Sequence, residues 1–326
     1  MHSNRFVRSL FVCWAALGIG LHAAAQPSPW PSKPVKIIVT APPGLPPDVL
    51  ARGLAQQLEA RLGQTFLVEN RPGASTIIGA QACAASPPDG YTLCLTLNDT
   101  VSINPHLFNK LPYDPDKNFA PVAILAWPNS AIVVSASVGP KTFKEVVEFS
   151  KAKPNTLNFG SFGNGSTAHL YLEWIRSKTG WDVTHVPFAS GPVVPTLAGH
   201  VQLTYLAIGA LRPHIEAGKL IPIAVAGSQR SAYLPDVPTF SEVGLGDFYV
   251  RSWFGLFAPA GTPSAVIDAL NKHSVTIVND PAFRLKVMDP LTLTPGKETP
   301  AEMAAYIRKD RELGAELVRV AKVKLD

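Results

Sequence analysis

The residues whose types and spacing could do chemistry run from Asn158 to Leu170, Asn-Phe-Gly-Ser-Phe-Gly-Asn-Gly-Ser-Thr-Ala-His-Leu. Gly163 and Gly165 free the backbone to bend and leave N–H groups uncovered. Ser166 or Thr167 can cap a helix in which Leu170 with Trp174 and Tyr171 with Ile175 recur at i, i+4, and which Gly180 stops. A helix N-terminus beneath bare amides suits a negatively charged oxygen. Ser161, Gly163, Asn164, Gly165, Ser166, Thr167 and His169 are therefore candidate contacts to an anion, a carboxylate above all. A tight strand–helix turn without a ligand fits the same residues.

Three other chemistries fit less well. Gly163-x-Gly165-x-x-Ala168 matches the dinucleotide fingerprint, but the acid that should end the next strand to hold a ribose, Asp182, begins it instead. A hydrolase could use Ser161 or Ser166, yet there is no G-x-S-x-G elbow and no visible triad partner. Beyond the first 25 residues the histidines are His106, His169, His185, His200, His214 and His273, and none is spaced as a zinc pair, so neither metal nor cofactor is expected.

The elements that must position this loop form an α/β alternation. A strand Val35–Thr40 leads through a proline-stiffened loop, Ala41 to Asp48, into a helix from Val49 to about Leu62, with Asp48 where an N-cap belongs. This second strand–loop–helix unit makes Pro43, Gly44, Leu45, Pro46 and Asp48 candidate contacts. A further strand, Tyr91–Leu97, ends in Asn98-Asp99-Thr100, at the carboxyl edge where open α/β sheets bind ligands. Asn98 and Asp99 join the set, Asp99 fixing an amine or water or only capping a turn. Helices at 75–85, 143–152, 210–217 and from Thr299 onward, the last with a capping box and proline at N1, alternate with strands at 66–69, 131–135, 182–188, 201–206, 221–226 and 252–258. The class is α/β with mostly parallel sheets.

Composition bounds the setting. The chain has 326 residues, enough for two domains, and a formal charge of +5. Arg5 and Arg8, an apolar run from Leu10 to Leu21 and Ala23-Ala24-Ala25 before Gln26 read as a secretory signal peptide over 1–25. Its removal takes two arginines and no acid, leaving +3, a mild and unclustered excess that suits anionic small molecules and not nucleic acid. Export permits a disulfide between Cys83 and Cys94, one near a helix end and one in the strand that follows; two separate buried thiols are the alternative.

Segments spread along the whole chain after the signal peptide resemble one family, the extracytoplasmic substrate-binding proteins of tripartite tricarboxylate transporters, or Bug-type receptors. They are Trp30-Pro31-Ser32-Lys33-Pro34-Val35-Lys36-Ile37-Ile38-Val39, Val68-Glu69-Asn70-Arg71-Pro72-Gly73-Ala74, Pro88-Asp89-Gly90-Tyr91-Thr92-Leu93 and Leu111-Pro112-Tyr113-Asp114-Pro115, then the glycine loop, His185-Val186-Pro187-Phe188, Leu234-Pro235-Asp236-Val237-Pro238-Thr239 and Trp253-Phe254-Gly255-Leu256. The resemblance implies a two-domain Venus-flytrap of the type II periplasmic-binding-protein kind, divided as 26–126 plus 251–326 and 127–250, with the ligand in the cleft. It implies a periplasmic, non-enzymatic receptor, expected to be a monomer, that captures a small carboxylate and delivers it to membrane permease subunits. The family's two ligand loops fall on Ala41–Asp48 and Ser161–His169, with Phe188 and Leu206 facing the same cleft. A sensor module for a signalling partner would need the same clamp.

The chain departs from the family pattern at three places. Gly44-Leu45-Pro46-Pro47-Asp48 stands where a Gly-Gly pair and a Thr precede the Asp, Phe188-Ala189-Ser190-Gly191 where Tyr-Lys-Gly-Gly is common, and Tyr205-Leu206-Ala207 where Phe-Asp-Asn is common. A lysine, an acid and an amide are lost, which implies a ligand less polar than a tricarboxylate, such as an aromatic or aliphatic monocarboxylate.

Overall fold

The computed structural model describes residues 30–188, 190–227, 229–246 and 250–325. The signal peptide and Ala189 lie outside them. The first lobe begins with β1 (Val35–Val39), α1 (Pro46–Leu62), β2 (Phe66–Asn70), α2 (Ile77–Ala84) and β3 (Thr92–Leu97). A single π-helical turn, Asp99–Ile103, leads into α3 (Asn104–Leu107) and then β4 (Phe119–Pro128). The second lobe holds β5 (Ser130–Ser135), α4 (Phe143–Ala152), β6 (Asn158–Ser161), α5 (Thr167–Thr179), β7 (Thr184–Pro187), α6 (Val193–Leu197), β8 (Leu203–Ala207), α7 (Ile208–Glu216) and β9 (Leu220–Ala226). The chain then returns to the first lobe with β10 (Phe254–Pro259), α8 (Ser264–Asn279), α9 (Pro281–Phe283), β11 (Leu293–Pro295) and α10 (Pro300–Ala321).

Each lobe is built on one sheet, ordered β11-β4-β10-β3-β1-β2 and β7-β6-β8-β5-β9. The βα units pair in parallel, β1 with β2 and β3, and β6 with β7 and β8. The strands next to the crossings are antiparallel: β10 with β3 and β4, β11 with β4, and β5 with β8 and β9. The expectation of mostly parallel sheets thus holds for the βα units only. A strand that enters a sheet straight from the other lobe has no crossover helix to reverse it.

The chain leaves the first sheet at Pro128 and enters the second at Ser130, so Asn129 is the whole of the first crossing. Its side-chain amide donates to Thr292 O at 2.8 Å, and its carbonyl accepts from Ile208 N at 2.7 Å. The second crossing lies between Val250, whose amide and carbonyl both meet the Tyr171 hydroxyl, and Trp253, buried in the first lobe. Packing adds a third link. Leu317, Val318 and Ala321 of α10, with Ile103 and Leu107, belong to the apolar core of the second lobe.

Local starts and stops follow the residue types. Two prolines open α1 with Leu45 at the N-cap, three residues before the expected N-cap at Asp48. They lack the amides that a first turn would leave unbonded and carry its φ already. Asp48 is instead the third helical residue, and its carboxylate accepts from Gly44 N, Arg52 and Asn70. Cys83 of α2 and Cys94 of β3 are bridged, with Cα atoms 6.1 Å apart. Closing this short loop stabilises the fold by about 3 kcal/mol on the chain-entropy estimate.

Candidate ligand-binding site

A cavity of about 230 Å³ opens between the lobes at the carboxyl edges of β1 and β3. The first lobe contributes Thr40 to Pro42, Leu45 to Pro47, Pro72 to Thr76, Leu97 and Asp99; the second contributes Phe162, Ser166 to Ala168, Tyr205 to Ala207 and Ala210. The crossings close it with Pro128, Ser130 and Ser252. Most of these groups are apolar. Among the described lining residues there is no lysine, arginine or histidine, and Asp99 is the carboxylate.

Six of the expected contacts line this cavity: Leu45, Pro46, Asp99, Ser166, Thr167 and Leu206. The others do not, and each has a physical reason. Pro43 and Gly44 sit on the exposed rim. Asp48 is buried, its carboxylate saturated by the contacts given above. Asn98 is 1 % exposed, beneath the cavity rather than on its wall, and its side-chain amide has no partner among the described residues. Phe188 turns toward Gly160 and leaves the wall to Phe162.

The glycine loop is not the bare anion cradle that its composition suggests. Gly163 N donates to Ser161 Oγ at 3.0 Å, Gly165 N to His169 Nδ1 at 3.0 Å, and Ser166 N to Gly163 O at 3.2 Å. Asn164 turns its carbonyl to the Ser75 hydroxyl across the cleft, at 3.2 Å. The Ser166 side chain does not cap α5 but donates back to Gly163 O. The start of α5 is met instead by the protein's own carboxylate: Thr167 Oγ1 donates to Asp99 Oδ1 at 2.9 Å, and the Thr167 main-chain amide adds to this hold. Burial pushes the Asp99 carboxyl above the usual carboxylate range, and the Thr167 contacts offset part of that rise.

Ser161 and His185 form a nucleophile–base pair in this region, with Oγ 2.6 Å from Nε2. Ser161 is fully buried, its hydroxyl also lies 3.1 Å from Gly163 O, and it is absent from the cavity wall. The His185 ring stacks on His169, centroids 3.8 Å apart. Burial lowers both imidazoles to about 4, so they stay neutral near pH 7. The contact ties β6 to β7 and, through the His169 stack, to α5.

Sequence reasoning missed the loop before α2. Ala74, Ser75 and Thr76 all have positive φ, at 46°, 50° and 76°, which is rare for residues with side chains. A buried polar ladder holds them there. Thr40 Oγ1 bonds Thr96 Oγ1 at 2.9 Å, Thr76 Oγ1 bonds Thr100 Oγ1 at 2.7 Å, and Asn104 Nδ2 donates to Ser75 O at 2.8 Å. The small residues after Pro72 were the available signal, but Gly73 alone does not announce three more left-handed neighbours.

Residues 34–311 match the model of the TctC family, described as the tripartite tricarboxylate transporter family receptor. The chain belongs to this family. BugT of Bordetella pertussis is 32 % identical over the full length of both chains. Among solved structures, an R. palustris protein with adipate is 28 % identical at a TM-score of 0.85, covering 90 % of this chain and 99 % of its own. MatC from Rhodopseudomonas palustris, with bound malate, is 29 % identical at a TM-score of 0.81, covering 89 % and 100 %. This TctC chain is thus a two-lobed solute-binding receptor of the periplasmic-binding kind, from a family of receptors and not of enzymes. No helix among its described residues is long and apolar enough to cross a membrane.

Proposed function

We propose that this TctC receptor captures a small monocarboxylate with an apolar body in the periplasm and presents it, as a monomer, to the permease subunits of a tripartite transporter. The cavity carries this reading. Its wall offers Leu45, Leu97, Phe162, Leu206 and Phe254 to a hydrocarbon or ring, and among its described residues no cation that would neutralise several charges. Burying each further carboxylate against such a wall is costly. The carboxylate class is supported by the family and by the adipate and malate relatives; the low charge count is supported by this chain's own lining.

The ligand touches both lobes and holds them together as a hinge, so binding raises the melting temperature by mass action. A thermal-shift screen of benzoate, hexanoate, adipate, malate and citrate, followed by isothermal titration calorimetry (ITC), tests the reading. Benzoate or hexanoate is expected to give the largest shift and to be recovered chemically unchanged. Tight citrate binding with no response to the monocarboxylates would overturn the ligand class, and a flat response to all five would overturn the monocarboxylate reading.

A further inference from the structure

A second chamber of about 230 Å³ adjoins the first, and the two share Pro128, Ser130, Tyr205 and Ser252 as wall residues. Its character is opposite. Asn129, Gln229, Arg230 and Arg251 complete a polar wall. Arg230 is held by Glu242, with Nε at 2.9 Å from a carboxylate oxygen. Arg251 forms no ion pair among the described residues; its guanidinium lies over the Trp127 ring, 4.2 Å from the centroid. Stacking of this kind fixes a guanidinium's plane without using its N–H donors, which stay available to a carboxylate.

Polarity therefore runs in one direction through the molecule. At one end Asp99 sits at the start of α5, where a ligand carboxylate would otherwise be welcome. The middle is apolar, and at the other end stands Arg251. An anion placed there would find the start of α5 already occupied by the Asp99 carboxyl, with no cation among the described residues of the same wall.

We propose that the two chambers form one bipartite site: a monocarboxylate lies with its carboxylate beside Arg251 and its apolar body in the main cavity, and Asp99 bars a second carboxylate from the far end. This rests on the receptor reading above and adds the ligand's direction and the residue that counts its charges.

ITC on the mature chain with hexanoate, hexanamide and adipate, a series matched in length, tests it. Arg251→Gln is expected to weaken hexanoate about tenfold or more, the loss of one charge-assisted pair, and to leave hexanamide unchanged. Asp99→Ala, which vacates the start of α5, is expected to tighten adipate about tenfold relative to hexanoate, and an unchanged ratio would overturn the bar at that end. Unchanged hexanoate binding in Arg251→Gln, or tighter adipate than hexanoate in the unsubstituted chain, would overturn the orientation and leave the receptor reading standing. If neither acid binds the unsubstituted chain, the proposal and the monocarboxylate reading fall together.

Discussion

Two buried acids, Asp99 and Asp310, lie close enough that Asp99 adds to the cost of ionising Asp310. Asp310, on α10, is pushed up to about 6, chiefly by burial and also by the Asp99 charge, against a hydrogen bond from Trp253 Nε1 at 2.9 Å. Arg311 next to it is turned away, to Val101 O and Asp116. A carboxyl whose folded pKa lies above its unfolded value favours folding fully below about pH 4, and that contribution is lost as pH rises through about 6. Asp310→Asn can keep the bond to Trp253 and removes the charge. It is expected to gain up to about 3 kcal/mol at pH 7 and little at pH 4, read as a larger rise in melting temperature at the higher pH. An equal shift at both would exclude the mechanism. Glycines separate as clearly. A Cβ on Gly165, at φ +76°, would lie 2.1 Å from Leu107 Cδ2, whereas Gly163 has nothing within 4 Å. Gly165→Ala is therefore expected to cost roughly 2–4 kcal/mol, from overpacking plus backbone strain, and Gly163→Ala about half that. Urea titration compares them. Contrary to what the loop's composition suggests, a bulky residue at Gly165 cannot test ligand binding alone, because that glycine is a packing contact.

At the scale of elements, the loop between β2 and α2 is the one whose shape is imposed from outside. Three consecutive left-handed residues cost about 1–2 kcal/mol each, and the bonds from Asn104 and Thr100 hold them in place. Asn104→Ala is expected to destabilise the protein by about 2 kcal/mol and to weaken ligand binding, since Pro72 to Thr76 form one wall of the cavity. Calorimetry and denaturant titration together read both effects; a stability loss with unchanged affinity would place the loop's role in folding alone. By contrast, α4 and α10 carry their own instructions. Both open with complete capping boxes, at Thr142 with Glu145 and at Thr299 with Glu302. Local signals of that kind can be read from sequence because donor and acceptor lie three residues apart.

At the scale of the whole molecule, the terminal helix makes the two lobes interdependent. Leu317 is fully buried, and its partners are Ile103, Leu107 and the α5 side of the second-lobe core. The tail continues the seam, with Leu325 N donating to Leu107 O at 2.9 Å and Leu325 O accepting from Asn109 N at 3.2 Å. Leu317→Ala is expected to cost about 2–5 kcal/mol and to lower both lobes in a single transition. Two separated transitions would show that the seam is dispensable. Any opening of the cleft then has to turn about Asn129 and residues 251–252 while α5 and the end of α10 move together, breaking the Asp99–Thr167 and Ser75–Asn164 bonds across the gap.

Much of the frame was legible in the sequence. Short apolar runs marked the strands, i, i+4 apolar stripes marked the helices, and the quoted segments marked the family. These are local patterns, set by backbone geometry over a few residues. The departures at Leu45-Pro46-Pro47 and Tyr205-Leu206-Ala207 also stood in the sequence, and Leu45, Pro46 and Leu206 do line the cavity. What the sequence could not give was which polar groups face one another. The loop amides at Gly163 and Gly165 look free until Ser161 and His169 take them, and the start of α5 looks vacant until Asp99, 68 residues away in sequence, meets Thr167. Hydrogen bonds between distant segments leave no period in a sequence. Only the closure of one lobe against the other decides whether a donor is left for a ligand or is already spent within the fold.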